Sequence, residues 1–322
     1  MTSLAVVIPA YKRKFLEKAL ASLAAQSDRS FVVYIGDDNT PEGLEAIAKE
    51  WANRINLHYV RFPQNLGERD LVAQWNRCVG LTTEAWVWLF SDDDEAEEGC
   101  VKAWRAAAAL HPGADLFHFN VSQIDANSAI TQTFPAFPSV MTAAEFVRGR
   151  LNRTISSFAP EYLFRRAAWD AIGGFVPFPL AWCSDDATWV SLAVRAGIFT
   201  IPGPKVRWRL SSLNISAVAT RHARSKAKAA TLYQTWLRGL LARGDIGVNG
   251  MDAREIAQLG AQWLHGHIGR QAAGQQRVLS TWDSFMQARG WRLDWLRAGA
   301  RHFYWSFQRP VHRSRGVLPL NE

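Results

Sequence analysis

Three cysteines in 322 residues (Cys78, Cys100 and Cys183) cannot make a disulfide framework. A chain of this length buries enough apolar surface to need none. The expectation is a reducing compartment, where the Asn-x-Ser/Thr triplets beginning at Asn120, Asn152 and Asn214 carry no glycosylation meaning. Long apolar runs are missing too. No stretch approaches the ~18–20 consecutive apolar residues of a spanning helix. The apolar stretch Leu4–Ile8 stops at Pro9, with basic residues after it rather than before it, unlike a secretory leader. A cytoplasmic protein, soluble or attached to a surface, is the expectation. Internal repeats and low-complexity segments are absent as well.

What is present is ordinary globular composition, 48% hydrophobic and 20% charged, with length for one large domain plus an appendage or for two domains. The charge is placed unevenly. Residues 221–322 carry a net +10, whereas residues 1–220 carry −2, so the basic balance belongs to the last third alone. Such a segment suits nucleic acid, anionic lipid or an acidic partner about equally on charge.

Leu4–Ile8 reads as a buried strand. Leu16, Ala19, Leu20 and Leu23 then recur at helical spacing, and Phe31–Ile35 reads as a second strand. A helix from about Glu42 to Trp51, a strand at Leu57–Arg61, a helix from about Asp70 to Val79 and a strand at Ala85–Phe90 follow. This alternation predicts a parallel α/β sheet. Residues 115–220 are less regular, with strand-like pieces at Leu116–Val121 and Tyr162–Phe164 and a helix from about Ala187 to Ala196. From about Arg221 the pattern is helical. One stripe holds Tyr233, Trp236, Leu237, Leu240 and Leu241, and another holds Ile256, Leu259, Trp263, Leu264 and Ile268. A third runs through Val278, Leu279, Trp282, Phe285 and Met286. We place a boundary there, giving a catalytic domain over 1–220 and a basic, Trp-rich helical region over 221–322.

Ligands of such sheets sit beyond the carboxyl ends of the strands. The first strand runs into Pro9-Ala10-Tyr11, the second into Asp37-Asp38-Asn39, the fourth into Ser91-Asp92-Asp93-Asp94. A glycine-rich turn after the first strand is lacking, which sets aside a dinucleotide-dependent oxidoreductase. Three successive carboxylates repel one another unless a cation or solvent offsets them. Hard oxygen ligands of this kind suit Mg²⁺ or Mn²⁺ bound with substrate phosphates, although an acidic surface turn continuing into Glu95, Glu97 and Glu98 explains them as well. Asp37 and Asp38 can accept from a base or a ribose, or serve as a turn ahead of Pro41. Asp185-Asp186, opening a helix, can cap it or act as a general base.

The order of these pieces is more specific than any one of them. Val6-Val7-Ile8-Pro9-Ala10-Tyr11, Gly36-Asp37-Asp38-Asn39-Thr40, Asn65-Leu66-Gly67, Phe90-Ser91-Asp92-Asp93-Asp94, Gly173-Gly174-Phe175 and Asp185-Asp186 follow one another over about residues 4–215. In this the chain resembles the family 2 glycosyltransferases, enzymes with the GT-A fold, a mixed, mostly parallel α/β sheet flanked by helices. The resemblance implies an inverting, hexosyltransferase-type enzyme that takes a sugar from a UDP-, dTDP- or GDP-linked donor. It implies that Pro9, Ala10 and Tyr11 line the nucleotide pocket, that Asp37 or Asp38 holds the base or ribose, and that Asn65, Asp92 and Asp93 contribute to the donor site. Asp93 and Asp94 would hold the metal, Asp186 with Asp185 beside it would be the catalytic base, and Gly173-Gly174 would turn the backbone near the donor sugar. Arg209 and Ser211-Ser212 resemble a late segment that closes over the phosphates. Two positions depart from the pattern. Ser91 stands where many members have the first Asp of Asp-x-Asp-Asp, and Trp75 stands where many have Arg before the Asn that Asn76 matches.

The tail holds Trp236, Trp263, Trp282, Trp291, Trp295 and Trp305 among many arginines. Core packing accounts for most of these rings. The stretch from Arg301 to Arg309 also fits an interfacial surface that meets anionic lipid, on the inner face of the plasma membrane. No motif for reading nucleic acid is present. The family and the tail together suggest a glycan or lipid-linked acceptor in cell-surface polysaccharide synthesis. A non-catalytic sugar- or nucleotide-binding module is the competing reading, for which Ser91 and Trp75 leave room and against which Asp93, Asp94 and Asp186 speak.

Overall fold

The computed structural model describes residues 2–211, 214–215, 222–244 and 251–272. The first half alternates as the apolar pattern requires: β1 (Leu4–Ala10), α1 (Leu16–Ala24), β2 (Val32–Asp37), α2 (Leu44–Trp51), β3 (Leu57–Arg61), α3 (Leu71–Val79) and β4 (Trp86–Leu89). Asp70 starts α3 by accepting the Ala73 N–H at 2.9 Å, a side-chain N-cap. β5 (Glu95–Ala96), α4 (Cys100–Leu110), β6 (Leu116–Ile124), β7 (Ile130–Thr133), β8 (Val140–Met141) and α5 (Ala143–Asn152) follow. Next come β9 (Tyr162–Arg165), α6 (Arg166–Ala171), α7 (Ser184–Ala193), β10 (Ile198–Arg209), α8 (Ala223–Ala242) and α9 (Ala253–Ala272).

Among the described residues all ten strands join one sheet, with its main path in the order β3-β2-β1-β4-β9-β6-β10-β5. β3, β2, β1 and β4 are parallel, β9 runs antiparallel between β4 and β6, and β10 is parallel to β6. The sheet is therefore mixed and mostly parallel at its first edge, with helices against it. Both of its faces are covered, which is why β1 is apolar throughout. Leu4, Val6 and Ile8 enter one core with Trp86 and Trp88 of β4; Ala5 and Val7 enter the other with Val87 and Leu89.

β10 was not foreseen, and the reason is local. Pro202-Gly203-Pro204 interrupts it, and the pairing with β6 slips between Ile201 and Val206, so its two halves do not read as one strand. The change to a helical pattern near residue 221 is not a break in the core. Tyr233 and Leu237 of α8 and Ile256, Trp263 and Leu264 of α9 belong to the same apolar cluster as Val87 and Trp189. Arg148 of α5 also pairs with Glu255 at 2.7 Å. The third apolar stripe, together with Trp282, Trp291, Trp295, Trp305 and the stretch 301–309, lies outside the described residues, as does Ser212.

Candidate active site

β1 and β4 are neighbouring parallel strands paired from Leu4↔Trp86 to Val7↔Leu89, so the loops that leave them emerge at the same edge. That register brings Tyr11-Lys12 against Asp92. One Asp92 oxygen accepts the Tyr11 and Lys12 backbone N–H groups at 2.9 and 2.8 Å. The Lys12 ammonium then lies 3.2 Å from the other Asp92 oxygen and 2.6 Å from Asp93 Oδ2. Burial works against that ammonium, but Asp92 and Asp93 outweigh it and hold it charged. Burial also pushes the Asp93 and Asp94 carboxyls up, and in each the preceding aspartate adds to the effect.

Pro9, Tyr11, Lys12, Ser91, Asp92 and Asp93 line one side of a cleft of about 680 Å³. Arg150, Arg153, Asp185 and Asp186 line it as well, with Trp75, Phe158, Trp182 and Trp263 as aromatic surface. The turn that delivers Asp185 and Asp186 is strained: Leu180, Ala181 and Cys183 all have left-handed backbone, with φ of 61°, 53° and 66°. Side chains with a Cβ pay roughly 1–2 kcal/mol each for this conformation, and such strain gathers where a segment serves a site.

Asp186 is 3% exposed and clamped by Arg150. Arg150 Nε lies 3.1 and 3.0 Å from its two oxygens, and Nη2 lies 2.8 Å from Oδ2. A planar guanidinium holding both oxygens fixes the orientation of the carboxylate as a lysine could not. Asp185 differs: it is partly exposed to the cleft and accepts the Asp186 N–H at 2.9 Å. Enclosure and then the Asp186 charge push its carboxyl up to about 7, against the pull of that N–H and of Arg150. Behind this wall His118 Nε2 lies 3.3 Å from Glu161 Oε1, a pair buried from solvent. Burial raises the Glu161 carboxyl well above its ordinary range and lowers the imidazole to about 3, so both favour their neutral forms.

Of the residues expected at the site, Pro9, Tyr11, Asp92, Asp93, Asp185 and Asp186 meet at this cleft. Ala10, Asp37, Asp38, Asn65, Asp94 and Arg209 are not among its lining residues. Asp37 instead accepts from Thr40 N at 2.8 Å, Tyr59 Oη at 2.5 Å and Arg61 at 3.0 Å. Asp38 takes the Leu66 and Gly67 N–H groups at 2.7 and 2.8 Å and also pairs with Arg77. Asn65 stabilises the same turn by accepting from Glu68 N at 3.0 Å. Gly173 and Gly174 turn at φ of 81° and 94°, and Asn76 accepts the following Phe175 N–H at 3.0 Å, again away from the cleft lining.

Arg209 lies behind the aspartate loop. It is fully buried, donates to the Asp93 carbonyl at 2.7 Å, pairs with Glu95, and lies over the Phe15 ring at 4.5 Å. Its guanidinium braces the aspartate loop from behind and does not face the cleft. Of the expected metal pair, Asp94 accepts the Arg209 N–H at 2.6 Å, and Lys12 stands between Asp92 and Asp93. Among the described residues no group of three His, Cys, Asp or Glu side chains is arranged to hold a metal ion, and the Lys12 ammonium occupies the space between Asp92 and Asp93.

Sequence reasoning passed over Lys12 and Arg150. Lys12 directly follows the inspected Pro9-Ala10-Tyr11 and was open to the same scrutiny. Arg150 carries no local signal, because its partner is 36 residues away and only tertiary structure joins them.

Residues 5–149 match the family model described as glycosyl transferase family 2. Over that stretch the chain is similar to the family 2 glycosyltransferases. No curated protein sequence matches it. Among solved structures, S. aureus TarS 1–349 in complex with UDP-GlcNAc aligns with a TM-score of 0.63 at 15% identity, over 92% of this chain and 79% of that one. The same TarS segment in complex with UDP gives 0.53 at 15% identity, over 88% and 92%. A longer TarS structure gives 0.59 at 15% identity, over 86% of this chain and 44% of that one. Likeness at this identity is one of fold, and the fold is the GT-A sheet that the family resemblance implied. No helix among the described residues is long and apolar enough to cross a membrane.

Proposed function

We propose that the chain moves a hexosyl unit from a nucleotide diphosphate to an acceptor hydroxyl, with inversion at the anomeric carbon. The observation that carries this is one cleft with two carboxylate clusters, Asp92-Asp93 with Lys12 at the strand ends and Asp185-Asp186 with Arg150 at the start of α7. The first suits the charged end of a donor, the second a hydroxyl that must lose a proton. The Asp185-Asp186 pair takes that proton as the hydroxyl oxygen attacks. The bond from the anomeric carbon to the diphosphate breaks on the opposite face, and a single displacement of this kind inverts the centre. Arg150 keeps Asp186 oriented through the step.

A UDP-linked sugar is the donor to test first, since TarS structures of the same fold hold UDP-GlcNAc and UDP, with GDP- and dTDP-sugars as the alternatives. A Mn²⁺ or Mg²⁺ ion, which the family resemblance implies, would have to take the place of Lys12. The acceptor is proposed to be a glycan or lipid-linked glycan at the cytoplasmic face of a membrane, on the strength of the +10 carried by residues 221–322.

A donor that binds only the folded state raises its melting temperature. Thermal stability is therefore measured against UDP-, GDP- and dTDP-sugars, with transfer assayed alongside in wild type and Asp186→Asn. One nucleotide class is expected to raise the midpoint in both proteins, with transfer only in wild type. Loss of nucleotide binding in Asp186→Asn would remove Asp186 from the role of base.

A further inference from the structure

We propose that Lys12 is the built-in cation of the donor site, so that the diphosphate is bound without Mn²⁺ or Mg²⁺. This rests on the donor reading given above and concerns how that donor is held.

The position of the ammonium carries the inference. Lys12 Nζ lies 2.6 Å from Asp93 Oδ2 and 3.2 Å from Asp92 Oδ1, between the two carboxylates that face the cleft. A divalent ion shared by those carboxylates needs that same space. Mg²⁺ binds oxygen at about 2.0–2.1 Å in a near-octahedral shell. It could not coexist with a like-charged ammonium already in contact with both ligands. The lysine is not a stray surface side chain, because its own backbone N–H is tied to Asp92 at 2.8 Å, as is that of Tyr11 at 2.9 Å. The third aspartate cannot compensate, since its carboxylate is turned to the Arg209 N–H at 2.6 Å in the buried brace behind the loop.

An ammonium has three N–H donors; two meet Asp92 and Asp93, which leaves one for a ligand in the cleft that Lys12 lines. A point charge of this kind binds phosphate without the fixed geometry a metal imposes. Lys12 thus supplies positive charge where the diphosphate of the donor ends, and it steadies the leaving group as the glycosidic bond breaks.

The test uses the full chain with UDP, GDP and dTDP as probes, titrated by calorimetry in EDTA and again in Mn²⁺. One nucleotide is expected to bind in EDTA with an affinity within about threefold of that in Mn²⁺, a difference well under the ~1.4 kcal/mol that marks tenfold. Lys12→Met is expected to lose roughly tenfold or more in EDTA and to regain affinity when Mn²⁺ is added, the removed ammonium having opened the place between Asp92 and Asp93. Lys12→Arg, which keeps the charge, retains part of the metal-free binding. Electron paramagnetic resonance of Mn²⁺ alone with the wild-type chain should show the free-ion signal, and this arm decides if Lys12→Met fails to fold. Binding of nucleotide only with Mn²⁺, or tight uptake of Mn²⁺ by the wild type, overturns the role of Lys12 and leaves the donor reading standing. Absence of nucleotide binding in both conditions overturns the two together.

Discussion

The dipeptide Asp-Asp occurs at positions 37–38 and again at 185–186, each time next to a helix or turn, and the two pairs have opposite fates. Asp37 and Asp38 are both surrounded by donors: Thr40, Tyr59 and Arg61 for the first, Leu66, Gly67 and Arg77 for the second. Asp37 spends its oxygens on its own turn and on β3, and Asp38 holds the Leu66-Gly67 turn to the end of β2. Asp185 and Asp186 face a cleft, with Arg150 as the chief partner of one and a single backbone N–H for the other. The difference does not lie in the residues but in how many donors the neighbouring elements bring. A carboxylate saturated from within the chain stabilises; Asp185, partly exposed to the cleft with a single backbone N–H, is left available to a substrate.

Exchanging a member of each pair tests that contrast most directly. Asp186→Asn keeps the shape and removes the charge, and sugar transfer is expected to fall by about 10²–10⁴-fold, the span a positioned base contributes. Its affinity for the donor nucleotide should stay close to wild type, while the loss of the charge opposite Arg150 lowers its melting temperature without preventing folding. Asp38→Ala should do the reverse in kind. It leaves the Leu66 and Gly67 N–H groups and Arg77 without their shared acceptor, and a cost of about 3 kcal/mol follows from breaking such a buried, charge-assisted cluster. Urea denaturation measures it as a lower midpoint at unchanged slope. An Asp38→Ala protein as stable as wild type, or an Asp186→Asn protein that unfolds, would erase the distinction between the two pairs.

A smaller effect separates the members of the second pair. The Asp185 carboxyl sits at about 7 in the folded chain, pushed there by enclosure and by Asp186; in the unfolded chain it is near 3.9. The folded value being the higher, the unfolded state gives up its proton first. Folding stability from this group is therefore present below about pH 4 and is lost as pH rises from about 4 to 7, at no more than ~1.4 kcal/mol per unit. Asp185→Asn is expected to flatten that part of the stability profile and to gain most over wild type above pH 7. The transfer rate should show an acid limb near pH 7 that Asp185→Asn abolishes or moves. A stability profile identical in both proteins would place the Asp185 carboxyl at its ordinary value.

How much of this was readable beforehand follows the range over which each signal acts. β1 to β4 and the helices between them came from runs and spacings within ten residues, and their ends located Tyr11, Asp92 and Asp93 because parallel strands deliver their loops to one edge. Asp185-Asp186 was placed at a helix start by the apolar residues that follow it. The orientation of Arg209 was not readable: Asp93, Glu95 and Phe15 enclose it from distant points in the chain. Arg150 was hidden for the same reason. The core shared by α8, α9 and the sheet depends on Tyr233 and Trp263 meeting residues more than forty positions earlier, which a stripe of apolar residues announces without naming its partner.

The smallest expected effect comes from the turn that Asp38 holds. Gly67 has no unusual backbone angle, yet a Cβ placed there would stand 2.7 Å from Asp38 Oδ2. Gly67→Ala must therefore push the carboxylate off its two N–H partners or lift the turn, at a cost of about 1–2 kcal/mol for a local overpacking of this size. The loss should appear in the denaturation midpoint of Gly67→Ala. In the double variant with Asp38→Ala it should nearly vanish, because the clash and the bonds it disturbs share one carboxylate and neighbours of this kind are not additive. Additive losses would mean that Gly67 is required for some reason other than the approach of Asp38. Transfer activity of Gly67→Ala, measured well below its melting temperature, should fall far less than that of Asp186→Asn, since Gly67 does not line the cleft.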